Sequence, residues 1–421
     1  MNQKKLLAGA LCVAASLAAQ TVLGAGFGIY EGSARGNAMG TEVTADPASP
    51  SVLYNNPAAM TDLEGTQLEA GVTLINPHAT VTTLVAPGME PSNKAKSKWW
   101  TPPHAYVTHQ FNDKIWTGLG IFSRYGLGID FEDDWPGRYN VQEATIQSID
   151  INPSVAFKVL DNLSLSAGLR AEWFEFELFQ AVPAPAPLGP DAATDSRMHI
   201  KGDDWGIGYN LAAFYKATEW ISFGLAFESE IDQEVEGDYS LATPRGTLSG
   251  KGGGDITTPA ILRFGTSVQA TEKLKINAGI VYTMWSSYDQ LAIDFNPALP
   301  PGSDGQPVAR SVKEKDWDDV MRYQLGVEYA LDETWALRAG YIYDETPDPD
   351  AHVDYIVPAN DRHLFSVGAG YKKDDFFCDL GYTYLYIVDR DITGRPADGV
   401  FTGEFKDGDA HMIGVSVGYK L

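Results

Sequence analysis

Cysteine is nearly absent: Cys12 and Cys378 are the two in 421 residues. Cys12 falls in an apolar stretch, 6–23, that follows Lys4 and Lys5. A positive start, a short apolar run and small residues after it read as a secretory signal peptide. Cleavage is expected after Gly24, with Val22 at the minus-three position, so residues 1–24 are leader. Leu11 is too large for a lipoprotein site at Cys12. The remaining chain then keeps Cys378 alone, and an internal disulfide is excluded. By alternation Cys378 shares the outward face of Leu380, Tyr382 and Tyr384, as a small lipid-facing residue.

After the leader, no stretch reaches the ~20 consecutive apolar residues of a spanning helix, which excludes a helical membrane protein. Positive charge is scarce: 31 Lys and Arg face 56 Asp and Glu, for a net charge of −25. Loss of Lys4 and Lys5 makes it more negative. Such a surface repels nucleic acid. The seven histidines are scattered, with neither an H-E-x-x-H spacing nor cysteine partners, so no zinc site is expected. GVSVG at 414–418 matches the esterase pattern, but that chemistry needs a strand, a sharp turn and a helix. Ser416 lies inside a strand pattern instead. GTLSGKGGG at 246–254 lacks phosphate-loop spacing and reads as a flexible extracellular loop. No enzyme, cofactor or metal is expected.

What the chain has is period-two alternation between evenly spaced polar turns. The turns are 112–114, 161–162, 217–219, 271–273, 332–334 and 373–375. They recur every 40 to 60 residues or so, the length of two strands and one long loop, as in an outer-membrane barrel. Near the end, Ile413, Val415, Val417, Tyr419 and Leu421 share one face, and Met412, Gly414, Ser416, Gly418 and Lys420 the other. Trp335, Leu337, Ala339 and Tyr341 oppose Arg338 and Gly340 in the same way, and Tyr323, Leu325, Val327 and Tyr329 oppose Arg322 and Gln324. Successive strand side chains point to opposite faces. In a barrel the apolar face meets lipid and the polar, Gly-rich face lines a lumen.

Fourteen antiparallel strands are expected, at 66–85, 97–111, 115–130, 144–160, 163–179, 203–217, 220–236, 255–270, 274–293, 319–331, 335–345, 361–373, 376–390 and 409–421. The fold class is all-β, a transmembrane barrel over 65–421. An even count puts both ends of the barrel on the periplasmic side, and closure removes exposed strand edges. Trp116, Trp220, Trp335 and Phe376–Phe377 follow short turns, where a periplasmic aromatic girdle belongs. Trp99, Trp135, Trp205 and Trp317 sit where an outer girdle belongs. Acidic runs at 131–135, 314–319 and 344–350 read as solvated extracellular loops; cation bridges to lipid phosphates are the alternative, though their spacing names no site.

Residues 25–64 differ. They are rich in Gly, Ala, Ser and Asn, lack alternation, and could not bury enough apolar surface to fold alone. They suit a plug, or hatch, inside the lumen. In the third strand Gly126 and Gly128 interrupt the pattern, as at a bulge or bend.

The mature start AGFGIYEGSARGNAMG, the NNPAAM at 55–60 and SRYGLGIDFEDDWPGRY at 123–139 resemble the FadL family of outer-membrane long-chain fatty acid transporters, which includes aromatic-hydrocarbon channels. The resemblance implies a fourteen-stranded barrel, an N-terminal hatch and a kinked third strand that opens the wall sideways. It places the opening at Tyr125, Gly126, Leu127 and Gly128. It places the hatch motif at Asn55, Asn56, Pro57 and Ala58 beside the opening, and brings Ala25, Gly26 and Phe27 to the ligand pocket. The family's basic carboxylate-binding residues have no motif match here. Alternation points Arg170, Arg263 and Arg322 inward at a similar distance from the periplasmic turns, with Phe174 on the same face as Arg170. These arginines either hold a ligand carboxylate or pair with inward acids such as Glu172 and Glu328. Unlike many such barrels the chain ends Tyr419-Lys420-Leu421 rather than in Phe.

The function expected is passive uptake of a hydrophobic small molecule across a Gram-negative outer membrane, by lateral release through the kink. Long-chain fatty acids lead and aromatic hydrocarbons are the alternative. The protein is expected to be a multi-pass, heat-modifiable monomer in contact with lipid and lipopolysaccharide. A general porin conflicts with a plugged lumen, and no passenger or repeat supports an adhesin. The loop after the fifth strand, with Leu178, Phe179, Val182 and Leu188 beside stiff prolines, is expected to capture ligand at the surface.

Overall fold

The computed structural model describes residues 26–184, 191–301, 306–357 and 359–421. The expected leader, Ala25 and Leu188 lie outside the described residues. Among these, twenty-one strand segments form one antiparallel sheet. Fourteen strands close it into a ring: β1 (Thr66–Thr83), β2 (Pro103–Asn112), β3 (Ile115–Phe122, then Gly126–Asp130), β4 (Glu143–Leu160), β5 (Leu163–Val182) and β6 (Ser196–Lys216). Then come β7 (Ile221–Glu228, Ile231–Thr243), β8 (Gly246–Thr258, Ala260–Gln269), β9 (Leu274–Met284, Gln290–Pro301) and β10 (Pro307–Glu314, Val320–Ala330). The ring ends with β11 (Trp335–Asp344), β12 (Arg362–Lys373), β13 (Phe376–Ile387) and β14 (Gly403–Lys420). β14 pairs back onto β1 from Gln67↔Lys420 to Thr83↔Gly403, so the wall has no open edge. Two short segments, Ser92–Lys94 and Arg390–Ile392, pair outside the ring order.

The six turns stand where the alternation puts them. Leu337, Tyr323, Leu325, Val415 and Val417 are exposed on the outer wall, while Arg322, Gln324, Met412 and Ser416 are buried inside. Cys378 faces outward with Leu380. Strands β7 to β10 are longer than expected, because they continue past the ring as paired hairpins. The GTLSGKGGG stretch is one of these strands, not a flexible loop. Its residues pair one-to-one with β7 from Thr243↔Gly246 to Glu236↔Gly253 and beyond.

Four of the seven expected girdle tryptophans face outward: Trp220 and Trp335 at one end, Trp99 and Trp205 at the other. Trp116, Trp135 and Trp317 are buried instead. The Trp116 indole N–H donates to the Leu63 carbonyl at 2.9 Å, inside the lumen. A lumen filled by protein offers an aromatic ring the same apolar refuge as lipid does.

Residues 26–63 run inside the ring and are almost wholly buried. Ser33 caps the short helix α1 (Ala34–Ala38), its hydroxyl accepting from Gly36 N at 3.0 Å. Gly40, at φ +61°, turns the chain out of it. After α2 (Val52–Asn55), Asn56 caps a 3-10 turn, Pro57–Asp62, accepting from Ala58 N at 3.0 Å with Pro57 in the first position. The wall meets this segment with glycines that pair across neighbouring strands: Gly224, Gly265 and Gly279 on β7–β9, Gly326 and Gly340 on β10–β11, and Gly368, Gly381 and Gly414 on β12–β14. A Cβ on Gly340 would overlap the backbone of Gly40. The inner segment therefore lies backbone-to-backbone against the wall.

Candidate ligand path at the break in the third strand

β3 pairs with β2 only as far as Ala105↔Ile121. Its pairing with β4 pauses after Phe122↔Asp150 and resumes at Gly126↔Gln147. Three residues, Ser123–Tyr125, thus oppose two, Ser148 and Ile149. This is a one-residue bulge, and it reverses the strand's faces. Phe122 points inward opposite Asp150, and beyond the bulge Leu127 and Ile129 point inward opposite Ile146 and Ala144. The Ser148 hydroxyl holds the bulge, accepting from Tyr125 N at 2.9 Å and donating to Tyr125 O at 3.1 Å. The break therefore lies at 123–125, not at 125–128. Gly126 and Gly128 belong to the regular strand that follows, on its outward face. Gly128 does not leave an empty window: the Trp100 indole packs against it, where a Cβ would stand.

The edge that β2 vacates is taken by residues 27–29. Gly126 N donates to Phe27 O at 2.7 Å, Ile29 N donates to Arg124 O at 2.8 Å, and Gly28 bridges to Tyr125. The Phe27 ring is fully buried in an aromatic box. Its centroid lies 4.7 Å from Trp285, 5.5 Å from Tyr288, 5.7 Å from Tyr125 and Trp317, and 6.3 Å from Phe174. Gly26, at φ +60°, leaves no room for a side chain beside Trp285 and Trp317. The structure so brings Gly26, Phe27, Tyr125, Leu127 and Phe174 into one apolar cluster. That cluster continues along the inner faces of β4–β9 through Ile146, Phe176, Ile200, Val235 and Leu291.

Charged groups flank it at both ends: Lys315 and Asp354 pair at 2.7 Å, both buried, at the outer end, and a larger cluster lies toward the short turns. Arg170 lies between Asp150 at 2.8 Å and Glu172 at 3.0 Å, all three fully buried. Glu228 receives Arg124 at 2.7 Å and Arg263. Arg263 and Arg322 both lie opposite Val281, at one height. Arg322 stacks over the Tyr30 ring at 3.5 Å, and its Nε has no hydrogen-bond partner. So Arg170 pairs with Glu172, as one of the two alternatives had it. Glu328 is engaged elsewhere, with Arg338 at 2.6 Å and Arg35 at 3.2 Å. A cavity beside the box is lined by Tyr30, Tyr54, Arg124, Arg263, Arg322 and Trp285.

Other expected residues fall elsewhere. Asn55 donates to Thr41 O, and Asn56 donates to Thr44 O and Ala213 O, so this motif braces the inner segment against β6. Its neighbour Tyr54 is what reaches the break, its carbonyl accepting from Arg124 at 2.7 Å. Leu178, Phe179 and Val182 lie in strand β5, not in a loop. Leu178 is buried in the inner apolar cluster, away from the surface, and Phe179 is half-buried and stacks on His199 at 4.0 Å. Ser416 is fully buried, accepts from Ala34 N at 2.9 Å and pairs with His104 Nε2 at 2.8 Å, which anchors α1. Glu314, at the end of a β10 segment, and Asp316 and His352 beside it bring their ligand-type atoms within 4.8 Å of one another. His352 Nε2 and Asp316 Oδ2 lie 3.3 Å apart there.

Arg124, Ser148, Asp150, Glu228 and Trp100 escaped the sequence reading. Asp150 and Glu228 keep the inward parity of their strands and were readable from it. Trp285, Tyr288 and Trp317 sit where β9 and β10 are interrupted, and no periodicity marks them.

A family described as outer membrane protein transport protein (OMPP1/FadL/TodX) matches residues 15–421. A long-chain fatty acid transport protein of Escherichia coli is 26% identical over the full length of both chains. A 47 kDa outer membrane protein of Pasteurella multocida is 27% identical over 99% of this chain and 98% of its own. Among solved structures, a Pseudomonas aeruginosa FadL homologue superposes with a TM-score of 0.81 at 21% identity, covering 94% of this chain and 99% of that one. The toluene transporter TodX of Pseudomonas putida does so at 0.71 and 17%, covering 92% and 97%.

Proposed function

The chain belongs to the OMPP1/FadL/TodX family of outer-membrane transport proteins, and from that premise we propose that it takes up hydrophobic small molecules, long-chain fatty acids foremost, releasing them sideways into the membrane. Aromatic hydrocarbons are the second reading, favoured by the aromatic character of the Phe27 box and by the toluene transporters of like fold. One observation carries the proposal: the buried apolar cluster around Phe27 reaches the place where β3 parts from β2.

In this reading residues 25–64 are a hatch within a 65–421 barrel, and ligand enters from the outer end along the apolar lining of β4–β9. A ligand leaving water gains roughly 25 cal/mol per Å² of apolar surface. Release into the aqueous periplasm is therefore uphill, and release through the wall into hydrocarbon is not. Arg322 and Arg124 retain unpartnered N–H groups at the cavity beside the box, suited to a carboxylate whose chain lies among Phe27, Trp285 and Phe174. The barrel works as a monomer whose outer face meets lipid and lipopolysaccharide, and the hatch excludes free flow of water. Binding and partition suffice for this task; no bond is made or broken.

The test is initial uptake of radiolabelled oleate and of toluene by cells lacking their own transporter and expressing this chain. Uptake of either above the vector control is expected, and deletion of Ser123, which cancels the bulge, should abolish it. Uptake of small polar solutes and not of these two would favour the porin instead. Undiminished uptake after the deletion would remove the lateral route.

A further inference from the structure

We propose that Trp100 is a shutter over the break in the wall, held shut by a small charge clamp. The inference rests on the lateral route above.

Beyond the bulge, both faces of β3 are buried, although one of them points out of the barrel. The cover on that outward face comes from residues 95–102, the stretch before β2. This stretch is tied to β1 on one side: Trp100 N donates to Ile75 O and Ile75 N to Trp100 O, each at 2.8 Å, and Ala95 N donates to Ala79 O at 2.9 Å. On the other side Lys96 N donates to Asp130 O at 2.6 Å, at the far end of β3. It thus spans the gap that opens between β2 and β3. Trp99 and Trp100 divide the labour. Trp99 is 56% exposed, as an interface anchor is, whereas Trp100 is 6% exposed with its indole on Gly128.

Asp130 fastens the span, taking Lys98 at 2.8 Å and Lys96 at 3.2 Å, with Glu143 taking Lys98 at 3.0 Å. The lysines are about two-fifths exposed. Such pairs are individually weak and weaken further with salt, which suits a closure that has to open. From the lumen side, residues 27–29 fill the same edge. A departing ligand has to pass an inner and an outer closure, and Trp100 is the outer one.

The experiment uses the full-length barrel in outer-membrane vesicles, in a Cys378→Ser background, with Gly126→Cys as a reporter on the outward face. The readout is the rate of labelling by N-ethylmaleimide. Adding Trp100→Ala should speed labelling at least tenfold, Asp130→Asn should speed it less, and Trp99→Ala should leave it unchanged. Equal rates with and without Trp100→Ala would overturn the shutter. The same cells report oleate uptake: faster labelling with oleate uptake intact after deletion of Ser123 would keep the shutter and discard the lateral route.

Discussion

The Gly126 amide donates to the Phe27 carbonyl across 2.7 Å, so the inner segment completes the hydrogen bonding of a wall strand that its neighbour has abandoned. The side chain of Phe27 then stands among Tyr125, Phe174, Trp285, Tyr288 and Trp317. Phe27→Ala keeps the backbone bond and empties the box. Aromatic pairs contribute about 0.5–1.5 kcal/mol each beyond area burial, so ligand affinity should drop about tenfold or more. Equilibrium binding of labelled oleate to the purified barrel measures this, with heat-modifiability confirming the fold. Unaltered affinity would place the ligand elsewhere.

Glu228 answers Arg124 and Arg263 directly, and Arg170 at 3.8 Å. Glu228→Gln keeps the shape and removes the charge. Breaking a buried pair strands its partner at about 3–5 kcal/mol, and here two guanidinium groups lose contact. The expected result is a urea midpoint shifted well downward in a gel-shift assay of the folded band. A midpoint equal to that of the unsubstituted protein would mean that Asp150 and Glu172 already neutralise the cluster.

Gly340→Val places a branched side chain where the Gly40 backbone lies. The outer wall at this position is unaffected, so the barrel should assemble while residues 39–42 are pushed aside. Ion conductance in planar bilayers should rise from near zero toward that of a protein lacking residues 25–64. Conductance as low as in the unsubstituted protein would show that the hatch yields without unsealing.

Asp348 lies in the extracellular stretch between β11 and β12, 4% exposed, with Oδ1 lacking a partner. Burial lifts its carboxyl to about 7, against the opposing pull of Lys315 and Arg390, while Asp354 adds to the rise. A carboxyl raised on folding binds its proton more tightly folded than unfolded. Its contribution to stability is therefore full in acid, below the ordinary carboxylate range of ~4, and is lost as pH climbs through about 7. Asp348→Asn should make this stretch more resistant to protease than the unsubstituted protein at pH 8, with the difference vanishing near pH 4. An equal difference at both pH values would rule out titration of this carboxyl as the cause.

The wall was readable because lipid enforces alternation on every strand, and Val415, Val417 and Leu337 obey it without exception. The interior was less so. Trp116 reads like a girdle residue, because an apolar ring is at home against the hatch as well as against lipid. Leu178 was readable as inward, sharing parity with Phe174 and Phe176, but the prolines that follow drew it into a loop. The bulge lies two residues before the stretch that the glycines mark in the sequence. Ser123, Arg124 and Tyr125 carry no such mark, and what fixes them is Ser148, a hydroxyl on another strand. Trp100 was invisible for the same reason: its role depends on Gly128, 28 positions away, and on a gap that exists only once the ring has closed.

The one-residue excess at 123–125 also acts as a phase shift. Below it, odd-numbered residues of β3 such as Ile121 look outward; above it, odd-numbered Leu127 and Ile129 look inward. The two halves of one strand thus obey opposite rules for which positions have to suit the lumen. Losing one residue of 123–125 would bring the two halves into a single phase with both still facing as they do, whereas adding one inside the regular pairing on either side would turn side chains from one face to the other.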